Sequence, residues 1–372
     1  MIKLLNLLQS KSILILFIFL FFTSNLLFSQ GFKKSRFRLK VGVGTMYDDN
    51  ILKYSDKYLN RFLNNEDEGR FEIKTYDDVF VKTKLSTSYY FKFFKKRKTK
   101  ISASFNNNSY VNNPVKTWNY YGVGLQQYFL KKANVKFSYS YIPSFYVRQF
   151  RQPELVSLYG YEPNTFKPYV FAKDNFSLTF QNTFFKKTKA ELDFDYAKYY
   201  DNSYYTEYDS KNSSVGLSLE QPVSKKVKVK ATYIFTNSDA KGFDQEGETK
   251  ETADDSDASY KDHTFGLELK AKLPKVLKKK NDVSAKIRYS KRYFSSSHLI
   301  HNDPLHVGRI DNNLRLYFAY NIKLMKKTSL SLYYNYFVRD SYNNQGVYDE
   351  VLSEDKDYKQ NQVGFQLSYT IY

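Results

Sequence analysis

From Thr328 to Arg339 the chain alternates in polarity, with Leu330, Leu332, Tyr334, Tyr336 and Val338 apolar and Ser329, Ser331, Asn335 and Arg339 polar between them. A period of two puts one set of side chains on each face of a β-strand; a helix would repeat every three to four residues. The pattern recurs at Val79-Val81-Leu85-Tyr89, Val135-Phe137-Tyr139-Tyr141, Ala190-Leu192-Phe194-Tyr196, Val227-Val229-Ala231-Tyr233-Phe235 and Val283-Ala285-Ile287-Tyr289. Aromatic residues make up 19% of the chain, which also favours strands.

Six basic clusters fall between these runs: Lys95-Lys96-Arg97-Lys98, Lys131-Lys132, Lys186-Lys187, Lys225-Lys226, Lys278-Lys279-Lys280 and Lys326-Lys327. Seven longer polar segments alternate with them, at 55–76, 111–117, 151–172, 201–209, 241–261, 296–309 and 341–357. Short turns at one end and long loops at the other are the layout of a membrane barrel. Thirteen connections join fourteen strands, each needing about nine to eleven residues to cross the bilayer at a tilt. The expected fold is therefore all-β: a membrane-spanning, antiparallel, up-and-down barrel of about fourteen strands, with twelve or sixteen if one segment is misassigned. The basic clusters then belong to turns that meet acidic lipid head groups, and nucleic acid is not an expected partner.

The N-terminus supports the same placement. Lys3 and Lys11 lead into an apolar run from Ile13 to Phe22, followed by polar residues, as in a secretory signal peptide. Cleavage is expected after Gln30, giving a leader at 1–30 and a barrel at 31–372. Loss of Lys3 and Lys11 lowers the net charge from +20 to +18, which points to anionic partners. Mean hydropathy is −0.60, but in a barrel only alternate residues meet lipid, so the average conceals the outer face. No later stretch is apolar and long enough for a membrane helix. The absence of cysteine excludes disulfides, thiolate metal sites and a lipid-modified cysteine.

The first strand, Leu39 to Tyr47, runs into Asp48-Asp49-Asn50. A strand ending Tyr-Asp-Asp-Asn resembles the start of outer-membrane β-barrel porin families of Gram-negative bacteria, some of them linked to polysaccharide export. The last strand, Val363 to Tyr372, resembles the C-terminal signal of outer-membrane barrels, although Tyr372 is out of phase with Val363, Phe365, Leu367, Tyr369 and Ile371. The resemblance implies integral residence in the cell outer membrane, contact with its lipids and insertion by the barrel-assembly machinery. No catalytic residue carries over from it.

Strand parity places Lys82, Lys84, Lys136, Lys228, Lys230, Lys286, Arg288 and Arg315 on the inner face, opposed by Glu191, Asp193 and Asp195. Such an interior favours passage of small anionic solutes through a porin-like channel, unless ion pairs across the lumen close it. The alternative is a non-enzymatic part of a polysaccharide or protein export or surface-assembly system, with a secretion partner. An enzyme is not expected, and neither is a cofactor. His298, His301 and His306 share a loop with Asp303 and have metal-ligand chemistry, but a solvated loop turning at Asp303-Pro304 explains them better. Seven carboxylates between Asp244 and Asp257 could collect calcium; they lack the EF-hand spacing and read as a flexible acidic loop.

Overall fold

The computed structural model describes residues 36–371 apart from Lys131 and Leu277. The expected leader and Tyr372 lie outside the described residues. Fourteen strands form one closed antiparallel ring in chain order, each paired with its sequence neighbours and the last with the first. They are β1 (Phe37–Asp48), β2 (Asp78–Lys92), β3 (Lys98–Tyr110), β4 (Trp118–Tyr128), β5 (Asn134–Arg151), β6 (Phe166–Thr183) and β7 (Lys189–Asp201). The ring continues with β8 (Ser210–Pro222), β9 (Val227–Ala240), β10 (Tyr260–Lys272), β11 (Asn281–Phe294), β12 (Arg309–Ile322), β13 (Thr328–Asn343) and β14 (Tyr358–Ile371).

The basic clusters lie in or beside the short turns at one end of the ring. At the other end are seven long loops: L1 (49–77), L2 (111–117), L3 (152–165), L4 (202–209), L5 (241–259), L6 (295–308) and L7 (344–357). Strand lengths run from 11 residues in β4 to 18 in β5 and β6, longer than a bilayer crossing requires. The excess extends toward the loops. Residues 166–172, expected in a loop, therefore belong to β6.

Cross-strand register separates the two faces. Val43 pairs with Leu367, Val123 with Tyr139, Leu217 with Tyr233, and Leu267 with Ile287. Val123 and Leu267 are more than half exposed, at 55% and 51%. Apolar side chains continue this way around the ring, forming an area far larger than the patches water-soluble monomers expose. Such a surface is stable only against lipid, and the fold is that of an outer-membrane β-barrel. Among the described residues no helix is long and apolar enough to cross a membrane.

The interior is not uniformly filled. Along the inner face of β1, Arg38 and Lys40 are exposed, whereas Gly42, Gly44, Met46 and Asp48 are buried. The packed end is the long-loop end. There L1 carries helix α1 (Asp56–Leu63), L3 carries α2 (Pro153–Tyr159) and L7 carries α3 (Asp349–Lys356). Ile51, Leu52, Tyr54 and Ile73 of L1 form a buried cluster with Tyr146 of β5, flanked by Leu59, Phe62 and Phe71. Each fully buried apolar side chain of this kind contributes about 1.5–3 kcal/mol. Lys57 ties α1 to α3 through Glu354 and Asp355, at 3.1 and 3.0 Å.

Two loop expectations change. His306 is not solvated: it is 8% exposed, its Nδ1 lies 2.7 Å from Asp303 Oδ1, and its ring lies beside Phe294 and Tyr208. His301 is exposed, and the three histidines form no metal-ligand group among the described residues. L5 is not a loose acidic tether either. Asp257 is 3% exposed and its backbone N–H donates to Asp303 Oδ2 at 3.1 Å, joining L5 to L6. Composition registers charge density but not the partners that a cap of neighbouring loops supplies.

Candidate functional site

The site begins at Tyr47-Asp48-Asp49-Asn50, where the first strand meets the last. Asp48 accepts hydrogen bonds from Gln360 Nε2 at 2.8 and 2.9 Å and from Gln362 Nε2 at 2.8 Å. Asp49 accepts from the backbone and side chain of Asn361 at 2.6 and 2.7 Å. Asn50 then turns the chain inward, accepting from Tyr54 N at 2.8 Å and donating to Tyr54 O and Lys359 O. The four-residue motif is thus a clasp across the barrel seam, and it sets the root of L1.

From that root L1 crosses the bore. Arg148 of β5 donates through Nη2 to Leu52 O at 2.7 Å and to Lys53 O at 3.0 Å. The Lys53 ammonium lies 6.0 Å from the ring of Phe337 on β13 and 5.9 Å from that of Tyr358 on β14. β5 and β13 are six steps apart around a ring of fourteen, nearly diametrically opposite. A segment held at both of these points bridges the lumen.

The bridge is lined with positive charge. Lys116 of L2 is buried and donates from Nζ to Tyr146 O at 2.7 Å. Burial, with Lys53 and Arg148 alongside, pushes its ammonium down to about 7. Burial also lowers Lys53; Tyr358 opposes this shift, and Arg315 and Arg339 add to it. Arg339 lies 3.7 Å from Asp311, which is held more tightly by Arg309 at 2.7 Å. Among the described residues Lys53, Lys116 and Arg148 form no ion pair with a carboxylate.

Below the bridge, the register puts every basic and acidic residue singled out in the sequence on the inner face. Lys82 and Lys84 pair across from Gly44 and Gly42, Lys136 from Gln126, Arg288 from Arg315, and Lys286 from Glu268. Lys230 reaches Glu191 at 3.3 Å, Lys228 reaches Glu220 at 2.9 Å, and Lys189 also contacts Glu191. Asp193 and Asp195 accept from Thr179 and Ser177 on the neighbouring strand. These contacts run along the wall; none spans the lumen. Among the described residues Lys82, Lys84, Lys136, Lys286, Arg288 and Arg315 form no ion pair with a carboxylate, Glu268 across from Lys286 being held by Lys270. Two recesses open into this part of the bore: one of about 520 Å³ beside Lys40, Lys100, Lys136 and Tyr120, and one of about 210 Å³ beside Lys230, Lys286, Arg288 and Asp193.

Lys53, Lys116 and Arg148 were not legible as site residues. Lys53 sits in a segment that reads as polar loop, and Arg148 follows two register breaks in β5, between Ile142 and Phe145 and between Tyr146 and Arg148. Bulges of this kind are common at barrel rims, and because the two shifts cancel, Arg148 keeps the inward parity of Lys136; what the sequence hides is its partner in L1.

Lys116 should give the charge at the bridge a pH dependence. A cation with a lowered pKa keeps its charge below that value and loses it above, so preference for anions should fall as pH rises from 6 to 8, through its value of about 7. Reversal potentials across that range measure this. Lys116→Met should flatten the profile, and a wild-type profile already flat would refute the role.

The chain thus defines a class: an outer-membrane β-barrel with a bore bridged by its own first loop. No protein-family model matches it. No curated protein matches it either. It is similar in structure to the outer membrane channel DcaP of Acinetobacter baumannii, 12% identical, covering 90% of this chain and 97% of that one with a TM-score of 0.45. It is also similar to a loop L8 deletion mutant of OmpT, an outer membrane protein of Vibrio cholerae (9% identity, 90% and 99% coverage, TM-score 0.45). A third is an anion-selective porin from Comamonas acidovorans (8% identity, 90% and 98% coverage, TM-score 0.41).

Proposed function

We propose that the protein is a porin-like, non-enzymatic channel of the outer membrane that passes small anionic solutes, selecting them at the L1 bridge and along the basic wall beneath it. Export follows the leader at 1–30, and insertion by the barrel-assembly machinery uses β14. The carrying observation is the imbalance of pairing. Glu191, Glu220 and Glu268 each contact a lysine on their own wall, whereas among the described residues Lys82, Lys84, Lys286, Arg288 and Arg315 face the lumen without an ion pair. Unpaired cations between low-dielectric walls concentrate anions and repel cations.

Purified protein in a planar bilayer should conduct with a reversal potential favouring anions. Replacing Lys82, Lys84, Lys286 and Arg288 together by glutamate should move that potential toward cation preference. The shift should be smaller at 1 M salt, where screening acts over about 3 Å. Folding should survive, because lumen positions tolerate a change of charge better than lipid-facing ones. No ion flux where a known porin conducts, or unchanged selectivity in the quadruple variant, overturns the channel and favours the export or assembly role.

A further inference from the structure

Across β2–β5 the inner wall thins to its smallest side chains. One cross-strand row reads Ser86, Ser104, Gly122 and Ser140, and the row beside it reads Ser88, Ser102, Gly124 and Ser138. Neighbouring strands lie about 4.7–4.9 Å apart, so the two rows make a floor about 14 Å wide. The row across β9–β12, by contrast, holds the long side chains of Lys230, Glu268, Lys286 and Tyr317. The recess of about 520 Å³ lies over the serine floor, in the half of the bore nearer the short turns.

A thinned wall by itself only widens a bore, but this one is rimmed by groups that converge on it. Arg38 and Lys40 of β1 stand beside Ser88 and Ser86. Lys100 and Lys136 flank Gln126 in the next row toward the turns, and among the described residues none of these four cations forms an ion pair. Lys136 leans over the floor: a Cβ at Gly124 would lie 3.7 Å from its Cε. Tyr120 does the same from the opposite edge, with its Oη and Cε1 each 3.2 Å from where a Cβ at Gly122 would be. Between them Ser88 lines the recess, only 8% exposed, and its hydroxyl has no hydrogen-bond partner among the described residues.

We propose that this recess binds a sugar bearing an acidic group, phosphate or carboxylate, and that such sugars are among the anionic solutes of the channel. A serine hydroxyl both donates and accepts, so a floor of serines matches a ligand with hydroxyls of its own; an inorganic anion, chiefly an acceptor, leaves the serine oxygens unused. Ammonium groups only donate, so Lys100 and Lys136 take the acidic group. The ring of Tyr120 offers an apolar face to the C–H groups of the sugar. Gly122 and Gly124 let the ligand come close to the backbone between them.

The site rests on the channel reading of the bore and narrows its substrate class. It lies beyond the L1 bridge, near the other mouth, so charge is selected at one level and hydroxyls are recognised at another. A conducting site must release what it binds, so modest but saturable affinity is expected. The cations of the rim face an open lumen, and binding should weaken as salt screens them.

The test is calorimetric titration of the purified protein, in micelles of a detergent without a sugar head group, with glucose 6-phosphate, glucuronate, glucose and inorganic phosphate in turn. At least one of the two acidic sugars should bind saturably and about tenfold or more tighter than glucose or inorganic phosphate, and the one that does identifies the acidic group. Lys100→Ala with Lys136→Ala should weaken it by about tenfold or more, the scale of a lost hydrogen bond to a charged group. Ser88→Ala with Ser104→Ala and Ser138→Ala should bring the acidic sugar down to the affinity of inorganic phosphate. Ser284→Ala with Ser331→Ala, on β11 and β13 away from the recess, should leave affinity within twofold. A heat-dependent gel shift in every variant confirms a folded barrel. Absence of saturable binding of both acidic sugars, inorganic phosphate binding as tightly as they do, or unchanged affinity in the lysine or the serine variant would each overturn the site. Binding is read here without ion flow, so its absence with conductance intact removes the sugar site and leaves the channel standing.

Discussion

Replacing residues 52–73 by a short Gly-Ser linker should raise single-channel conductance severalfold and weaken preference for anions. Resistance in a pore is concentrated where its lumen is obstructed, and the strip of L1 held between Arg148 and the rings of Phe337 and Tyr358 crosses it. The deletion is geometrically mild, because Ile51 N already donates to Tyr76 O at 2.9 Å, so the ends of the loop touch. It removes Lys53 and the apolar contacts of Leu52, Tyr54 and Ile73, which loosens the cap. The fourteen-strand ladder and the Asp48 clasp stay intact, so the barrel should still form. Conductance equal to that of the wild type would show that L1 does not limit passage.

A larger effect is expected from a smaller change. A Cβ added at Gly44 would lie 2.0 Å from Phe365 O and 2.7 Å from Gln366 Cα, and one at Gly364 would lie 2.2 Å from Thr45 O. These contacts are with backbone, so no side-chain rotation relieves them, and the first and last strands approach this closely only because both positions lack a side chain. Gly44→Ala should prevent stable closure, leaving protein without a heat-dependent gel shift and open to protease. Gly216→Ala, on the inner face of β8, is the control: its Cβ would meet Ile234 Cγ1 at 3.4 Å, an ordinary contact, and it should assemble normally. Normal assembly of Gly44→Ala would show that the seam can shift.

The barrel was legible because its information is local. Alternation assigns a face to each residue, and the basic clusters mark each return, so Lys82, Asp193 and Arg288 could be placed without any knowledge of their neighbours. The bridge was not legible, because it depends on which distant residues receive L1. Nothing near Lys53 announces Phe337, and nothing near Arg148 announces the L1 carbonyls that it holds. The acidic group in L5 was visible as composition, yet its fastening is by Asp303, which reaches it from L6. Tyr47-Asp48-Asp49-Asn50 was read through resemblance; its physical role depends on Gln360, Asn361 and Gln362 at the far end of the chain.

That distance has a bearing on the order of assembly. Asp48 and Gln360 are 312 positions apart, and their hydrogen bonds exist only when β14 lies beside β1. Contacts so remote in the chain form after the ring has been gathered, because the entropy of closing it must be met first. The foot of L1 is therefore fastened by the same event that zips the last strand to the first. An incompletely wound sheet has no bridge, and the lumen is spanned only on becoming a lumen.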